Sequence, residues 1–213
     1  MTDELRLWAI SVETLRQCFA APPELAVRLR EIAATVTEPT KPTGRGMLHV
    51  LGPLLRRPAA APVSPDVPTM ADAETLLAGH YISADRLAAG WVIVRAWLDA
   101  LAPRTVIPLA RADLPTLEFD LVRAEVPTEI GIRRIWAGRP DIPLQCSREM
   151  CLGYMPYATV LRLVDAWTTA LPNLEPATAA VVTAVTDFWG DLGWVDTGTL
   201  PPPDLVAWWT CRG

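Results

Sequence analysis

Apolar and polar positions alternate along this chain in two rhythms, and each rhythm predicts an element. Apolar residues three and four apart mark one face of a helix, and strict alternation marks a strand. "LRLWAI" (5–10) alternates and predicts a short first strand. Ser11 then stands as an N-cap, with Glu13 in the first turn of "VETLRQCFA". "APPELAVRLREIAATV" (21–36) predicts a second helix with Leu25, Leu29 and Ile32 on one face. Pro23 opens it at the first helical position, where a missing N–H costs nothing. "MLHVLGPLLRR" (47–57) reads as a helix that Gly52-Pro53 must break or kink. The proline-rich stretch 58–68, "PAAAPVSPDVP", cannot build a packed element alone and predicts an internal linker or loop.

Thr69 and Asp72 form a capping box for "MADAETLLA", and Gly79 ends that helix. Ser83 caps the strongest helix pattern, "ADRLAAGWVIVRAWLDALA", with Leu87, Trp91, Val94 and Leu98 on one face. Residues 103–151 are rich in β-branched residues and broken by Pro and Gly. They predict short strands, at "TVIPLA" and "GIRRIWA", with irregular connections. Pro156 and Pro176 each open a helix, "YATVLRLVDAWTTAL" and "ATAAVVTAVTDFWGDL". Between them and the middle, "QCSREMCLGYMPY" (145–157) reads as a junction in which Gly153 supplies a turn. "DLVAWWTC" predicts a terminal strand. Trp208 and Trp209 then point to opposite faces, one into a core and the other towards a second layer or a partner. The expected class is α+β, mostly helical with a few short strands, in one domain spanning 1–213.

Composition supports a folded chain. Of 213 residues, 51% are hydrophobic and 20% charged, so a sizeable core is available. Nine tryptophans fill that core or anchor an interface. Lys41 is the only lysine, and the arginine bias with abundant Ala and Pro points to a high-GC bacterial genome. The N-terminus carries acidic residues and no long apolar run, and no window reaches the roughly 18 uninterrupted apolar residues of a membrane span. A cytoplasmic protein with reduced cysteines is expected. A net charge of -5 lowers the expectation of nucleic-acid binding, which rests on a basic face.

The chemistry-bearing residues are sparse. Cys146-x₄-Cys151 lacks the second pair that a structural zinc needs, and Cys18, Cys211, His49 and His80 are scattered singly. No G-x-S-x-G, P-loop or G-x-G-x-x-G is present. Asp187 and Asp191 share a helix face, with Asp196 nearby, and would serve a metal-dependent enzyme; Cys151 with His80 would serve a Cys-His enzyme. Arg133, Arg134, Arg139 and Arg148 form a basic cluster against a single Asp141. They either recognise an acidic partner or nucleic acid, or pair internally with Glu118, Asp120, Glu125 and Glu129.

Three stretches, "LWAISVETLRQCFAAPPELAVRLREIA", "CLGYMPYATVLRLVDAWTTAL" and "DLVAWW", resemble the YfbM-like family of small bacterial proteins. The resemblance implies an opening strand and helices, a Gly-Tyr turn leading into a helix, and a terminal strand. It implies no activity, cofactor or site residue. The function expected from the sequence is a non-catalytic protein-binding module without a cofactor, of the kind that neutralises a toxin by capping it as an immunity protein or antitoxin. Its partner patch would be Arg133, Arg134, Arg139, Arg148, Tyr154, Trp208 and Trp209. The alternative is an enzyme without a recognisable motif, using Asp187/Asp191 or the Cys-His pair.

Overall fold

A computed structural model describes residues 3–37, 64–146, 150–193 and 201–210. The predicted helix at 47–57, the first six residues of the proline-rich stretch, and His49, Arg148, Asp196 and Cys211 lie outside them.

Four strands form one antiparallel sheet. They are β1 (Glu4–Ala9), β2 (Arg104–Pro108), β3 (Met150–Met155) and β4 (Leu205–Thr210), in the order β2-β1-β4-β3. The central pair, β1 and β4, comes from opposite ends of the described chain, with Glu4 opposite Thr210 and Ala9 opposite Leu205. Alternation sends their side chains to two separate cores. Leu5, Leu7, Leu205, Ala207 and Trp209 enter one; Trp8, Val206 and Trp208 enter the other.

The helices divide between the faces by chain order. α1 (Val12–Gln17), α2 (Pro23–Ala34), α3 (Met70–Leu77) and α4 (Leu87–Leu101) cover the Trp8/Trp208 face. α5 (Leu114–Arg123), α6 (Tyr157–Ala170) and α7 (Pro176–Asp191) cover the Trp209 face. The result is a three-layer α/β/α arrangement, in agreement with the α+β expectation. Both faces of the central pair β1 and β4 are covered, which is why Trp208 and Trp209 are both buried, while Val106 on the β2 edge stays exposed. The second layer foreseen for one of them is therefore the chain's own, and neither indole presents a surface to a partner.

Asp204 sits just before β4 and ties the two faces together. One carboxylate oxygen accepts the Val12 N–H at 2.8 Å and the other accepts the Tyr157 N–H at 3.0 Å. One side chain thus satisfies the first N–H of a helix on each side of the sheet.

Several local expectations hold. Ser11 accepts from Thr14 N–H, and Thr69 and Asp72 make the reciprocal capping box. α3 closes with the Gly79 N–H on Leu76 O and the His80 N–H on Thr75 O, a Schellman motif with Gly79 at φ 73°. Pro176 opens α7 as predicted.

Others are corrected. Ser83 precedes a 3₁₀ turn (Ala84–Arg86) and makes no side-chain cap bond; α4 starts at Leu87. Pro156 is the N-cap of α6 and not its first residue. "GIRRIWA" is no strand: Ile132–Trp136 is a 3₁₀ helix. Its buried pair, Ile132 and Ile135, are three apart, the spacing at which 3₁₀ side chains eclipse. The segment before it holds α5, in which Leu114, Leu117 and Leu121 are buried and Pro115 lies in the tolerated first turn. The junction around "CLGYM" is strand β3, and the Gly-Tyr turn expected there is absent.

The described part of the proline-rich stretch, 64–68, is bound to the domain. Arg86 donates to the carbonyls of Ser64, Pro65 and Val67 and pairs with the buried Asp72 carboxylate. Pro68 is buried. No helix among the described residues is long and apolar enough to cross a membrane.

Candidate binding cleft at the edge of strand β3

β3 is an edge strand, and its outer side is only partly covered. Tyr154 exchanges both backbone hydrogen bonds with Gly138, at 3.0 and 3.2 Å. Two residues inward along the strand, the Leu152 N–H donates to Cys146 Sγ at 3.4 Å. Gly138 and Cys146 are therefore two anchor points on one strand edge. Residues 139–145 between them arch away from the sheet.

Glycine is required at both ends of the first anchor. A β-carbon on Gly153 would overlap the Trp136 backbone carbonyl, and one on Gly138 would overlap the Tyr154 carbonyl. With both absent, the 136–138 backbone lies flat on β3. Trp136 is also held by stacking on Trp209, with centroids 5.5 Å apart and planes 26° apart.

The arch has its own ties. The Arg16 Nε donates to Pro140 O at 2.8 Å, and its guanidinium lies 3.5 Å from the Asp141 carboxylate. Asp141 adopts φ 53°, a conformation that Asp tolerates better than most residues. Trp91 Nε1 donates to Gln145 O at 3.1 Å.

Between the arch, the edge strand and α4 lies a cleft of about 710 Å³. Its apolar part is an opening in the Trp8/Trp208 core: Trp91, Ile142, Leu144 and Leu152 belong to both. Trp136 and Arg139 contribute to its wall, and Tyr81, 70% exposed, lines it from the loop after α3.

The sequence-predicted residues fall around this cleft unevenly. Arg133, Arg134 and Arg139 are exposed and make no ion pair or side-chain hydrogen bond among the described residues. Arg6, Arg16, Arg30, Arg86, Arg104 and Arg123 each pair with a carboxylate. The internal partners considered for the cluster do not serve it. Asp120 is taken by Arg123 and by the Glu175 N–H. Glu118 folds onto Gly131, with Oε2 buried and unpartnered. Tyr154 is half-buried beside Gly138, a bracing position. Arg148 lies outside the described residues.

The enzyme alternatives gain no geometry. Asp187 and Asp191 are both exposed on α7, and among the described residues no group of three His, Cys, Asp or Glu converges as metal ligands. His80 is exposed and serves the end of α3 through its backbone. The Cys151 side chain is not among the described atoms. Cys18 is buried against Thr14 O, and burial pushes its thiol up to about 12, so it is an inert core group.

Sequence reasoning missed Tyr81, Trp91, Trp136 and Gln145 as cleft residues. A sequence signal existed for one of them: Tyr81 follows the Gly79 helix stop, where an aromatic has no helical face to bury it. Comparison with family models, curated proteins and solved structures finds no match.

Proposed function

We propose that the protein is a non-catalytic binding module whose recognition surface is the arginine-bearing segment 133–139 beside the cleft. The observation that carries this is the contrast among arginines. Arg133, Arg134 and Arg139 stand within seven residues, exposed and without carboxylate partners among the described residues, whereas six other arginines are paired and the further ones without an ion pair there, Arg28, Arg95 and Arg162, stand singly. Guanidinium groups left open in a chain with 24 acidic residues are available for a partner's carboxylates. The specific form we favour is capping of a toxin in the manner of an immunity protein or antitoxin. The arginines would meet the partner's carboxylates and fix the register of the complex.

The test is affinity capture from the native host with the wild type and with the charge-reversed R133E/R134E/R139E variant. One stoichiometric protein partner is expected on the wild type and none on the variant. Equal retention by both, or no stoichiometric partner on either, overturns the proposal.

A further inference from the structure

We propose that the cleft under the 139–146 arch is a binding site for a small organic anion with a flat apolar body, such as an aryl carboxylate or an aryl phosphate. This does not depend on the existence of a protein partner. The volume of about 710 Å³ falls within the roughly 300–1,000 Å³ of small-ligand sites. It is too small for a folded element of another protein.

The lining specifies the chemistry. Trp91, Ile142, Leu144 and Leu152 are core side chains that meet the cleft, so its apolar part is continuous with a packed interior. Trp136 is fixed in orientation by its stack on Trp209. Tyr81 stands 70% exposed in the lining, where a flat ligand would cover it. Two charged side chains line the cleft. Asp141 is already engaged by Arg16, whereas Arg139 has no ion-pair partner among the described residues. The uncompensated charge is therefore one guanidinium, which matches a carboxylate or a phosphate head group.

The arch makes the site preformed. Gly138 and Cys146 pin its two ends to β3, and Arg16 and Trp91 hold it between. A ligand entering it pays little ordering cost.

The test titrates the full chain by calorimetry, with ligand-observed NMR as a second readout. The probes are phenylacetate, phenyl phosphate, neutral 2-phenylethanol and inorganic phosphate. At least one aryl anion is expected to bind one-to-one, about tenfold tighter than the neutral alcohol or inorganic phosphate. The two aryl arms identify the preferred head group. Arg139→Gln is expected to weaken it about tenfold and Tyr81→Ala several-fold, both with an unchanged thermal midpoint. Arg133→Gln/Arg134→Gln is expected to leave probe binding intact, which separates this site from the protein-partner surface. The proposal is overturned by no saturable binding of either aryl anion up to about 10 mM, by wild-type affinity in Arg139→Gln, or by equal affinity for 2-phenylethanol.

Discussion

The backbone carbonyl of Trp136 lies directly over the α-carbon of Gly153, with no room for a β-carbon between them. Strand β3 and the arch that forms the cleft are joined through this contact. The obstacle is main chain, which cannot swing aside as a flexible side chain would. Gly153→Ala should therefore cost about 2–4 kcal/mol by overpacking and backbone shift. Gly190→Ala is the matched control. Gly190 is helical and exposed with open space around its α-carbon, so alanine there should stabilise by about 0.5–1 kcal/mol. Urea unfolding midpoints of the two variants should move in opposite directions.

Asp204 is the second such junction. Asp204→Ala removes acceptors from the first N–H of α1 and of α6 together, and a loss of about 2–4 kcal/mol is expected. Asp204→Asn keeps one acceptor oxygen, so it should fall between wild type and alanine. Equal stability of all three chains by thermal melting would contradict the bridging role.

Acid and base should destabilise the fold through different groups. Burial alone would raise Asp72, but hydrogen bonds from Arg86 and Thr69 outweigh it and hold its carboxyl below the usual range. Asp120 is likewise buried, yet the Glu175 N–H, Thr178 and Arg123 bring it below the ordinary value. Both bind protons less readily when folded. Their stabilisation is present above about pH 4 and is lost as pH falls through the lowered folded values. Cys18 has the opposite sign, with its folded value raised to about 12 by burial. Its contribution is complete below the unfolded thiol value of about 8.5 and is lost as pH rises from there towards the folded one. Cys18→Ser should leave the acid limb of the stability–pH curve in place. Asp72→Asn and Asp120→Asn should each flatten the acid limb.

The tryptophans should not respond alike to loss of the indole N–H. Trp97 Nε1 donates to Leu29 O and Trp167 Nε1 to Ile130 O, both at 2.9 Å, whereas Trp208 Nε1 is buried with no acceptor. Trp167→Phe leaves the buried Ile130 carbonyl without its donor in addition to losing volume, and Trp97→Phe loses volume and the indole bond to Leu29 O, a carbonyl inside α2. Trp208→Phe loses volume but removes an unsatisfied donor. Chemical denaturation should therefore rank Trp208→Phe as milder by about 1–3 kcal/mol.

How far the sequence is legible follows from what each signal encodes. Caps and helix openings are local chemistry, so Ser11, Thr69/Asp72, Pro23, Pro176 and Gly79 read correctly. The β1 and β4 patterns also read correctly, although β4 is buried on both faces and β1 is so from Leu7 to Ala9, where the alternation is lost. Within residues 103–157 the strand expected at "TVIPLA" reads correctly as β2, but the rest reads poorly because long-range contacts decide its conformation. Gly153 looks like a turn residue until Trp136 is seen above it, and Ile132 and Ile135 look like strand residues until their spacing of three is placed on a 3₁₀ helix. The arginine cluster was visible as a charge run. Its freedom from ion pairs among the described residues was not, because Asp120 is claimed from distant positions by Arg123 and Glu175.

The pairing of β1 with β4 also sets an order of events during synthesis. Until residues 205–210 have left the ribosome, Leu5 and Trp8 have no inner neighbour on that side, and the helices of both faces rest on an incomplete sheet. The two cores are lidded by different runs of helices but closed by the same strand, β4. The nascent protein would therefore present two unfinished apolar surfaces while the residues between β1 and β4 are made, and would complete both in a single step when β4 emerges.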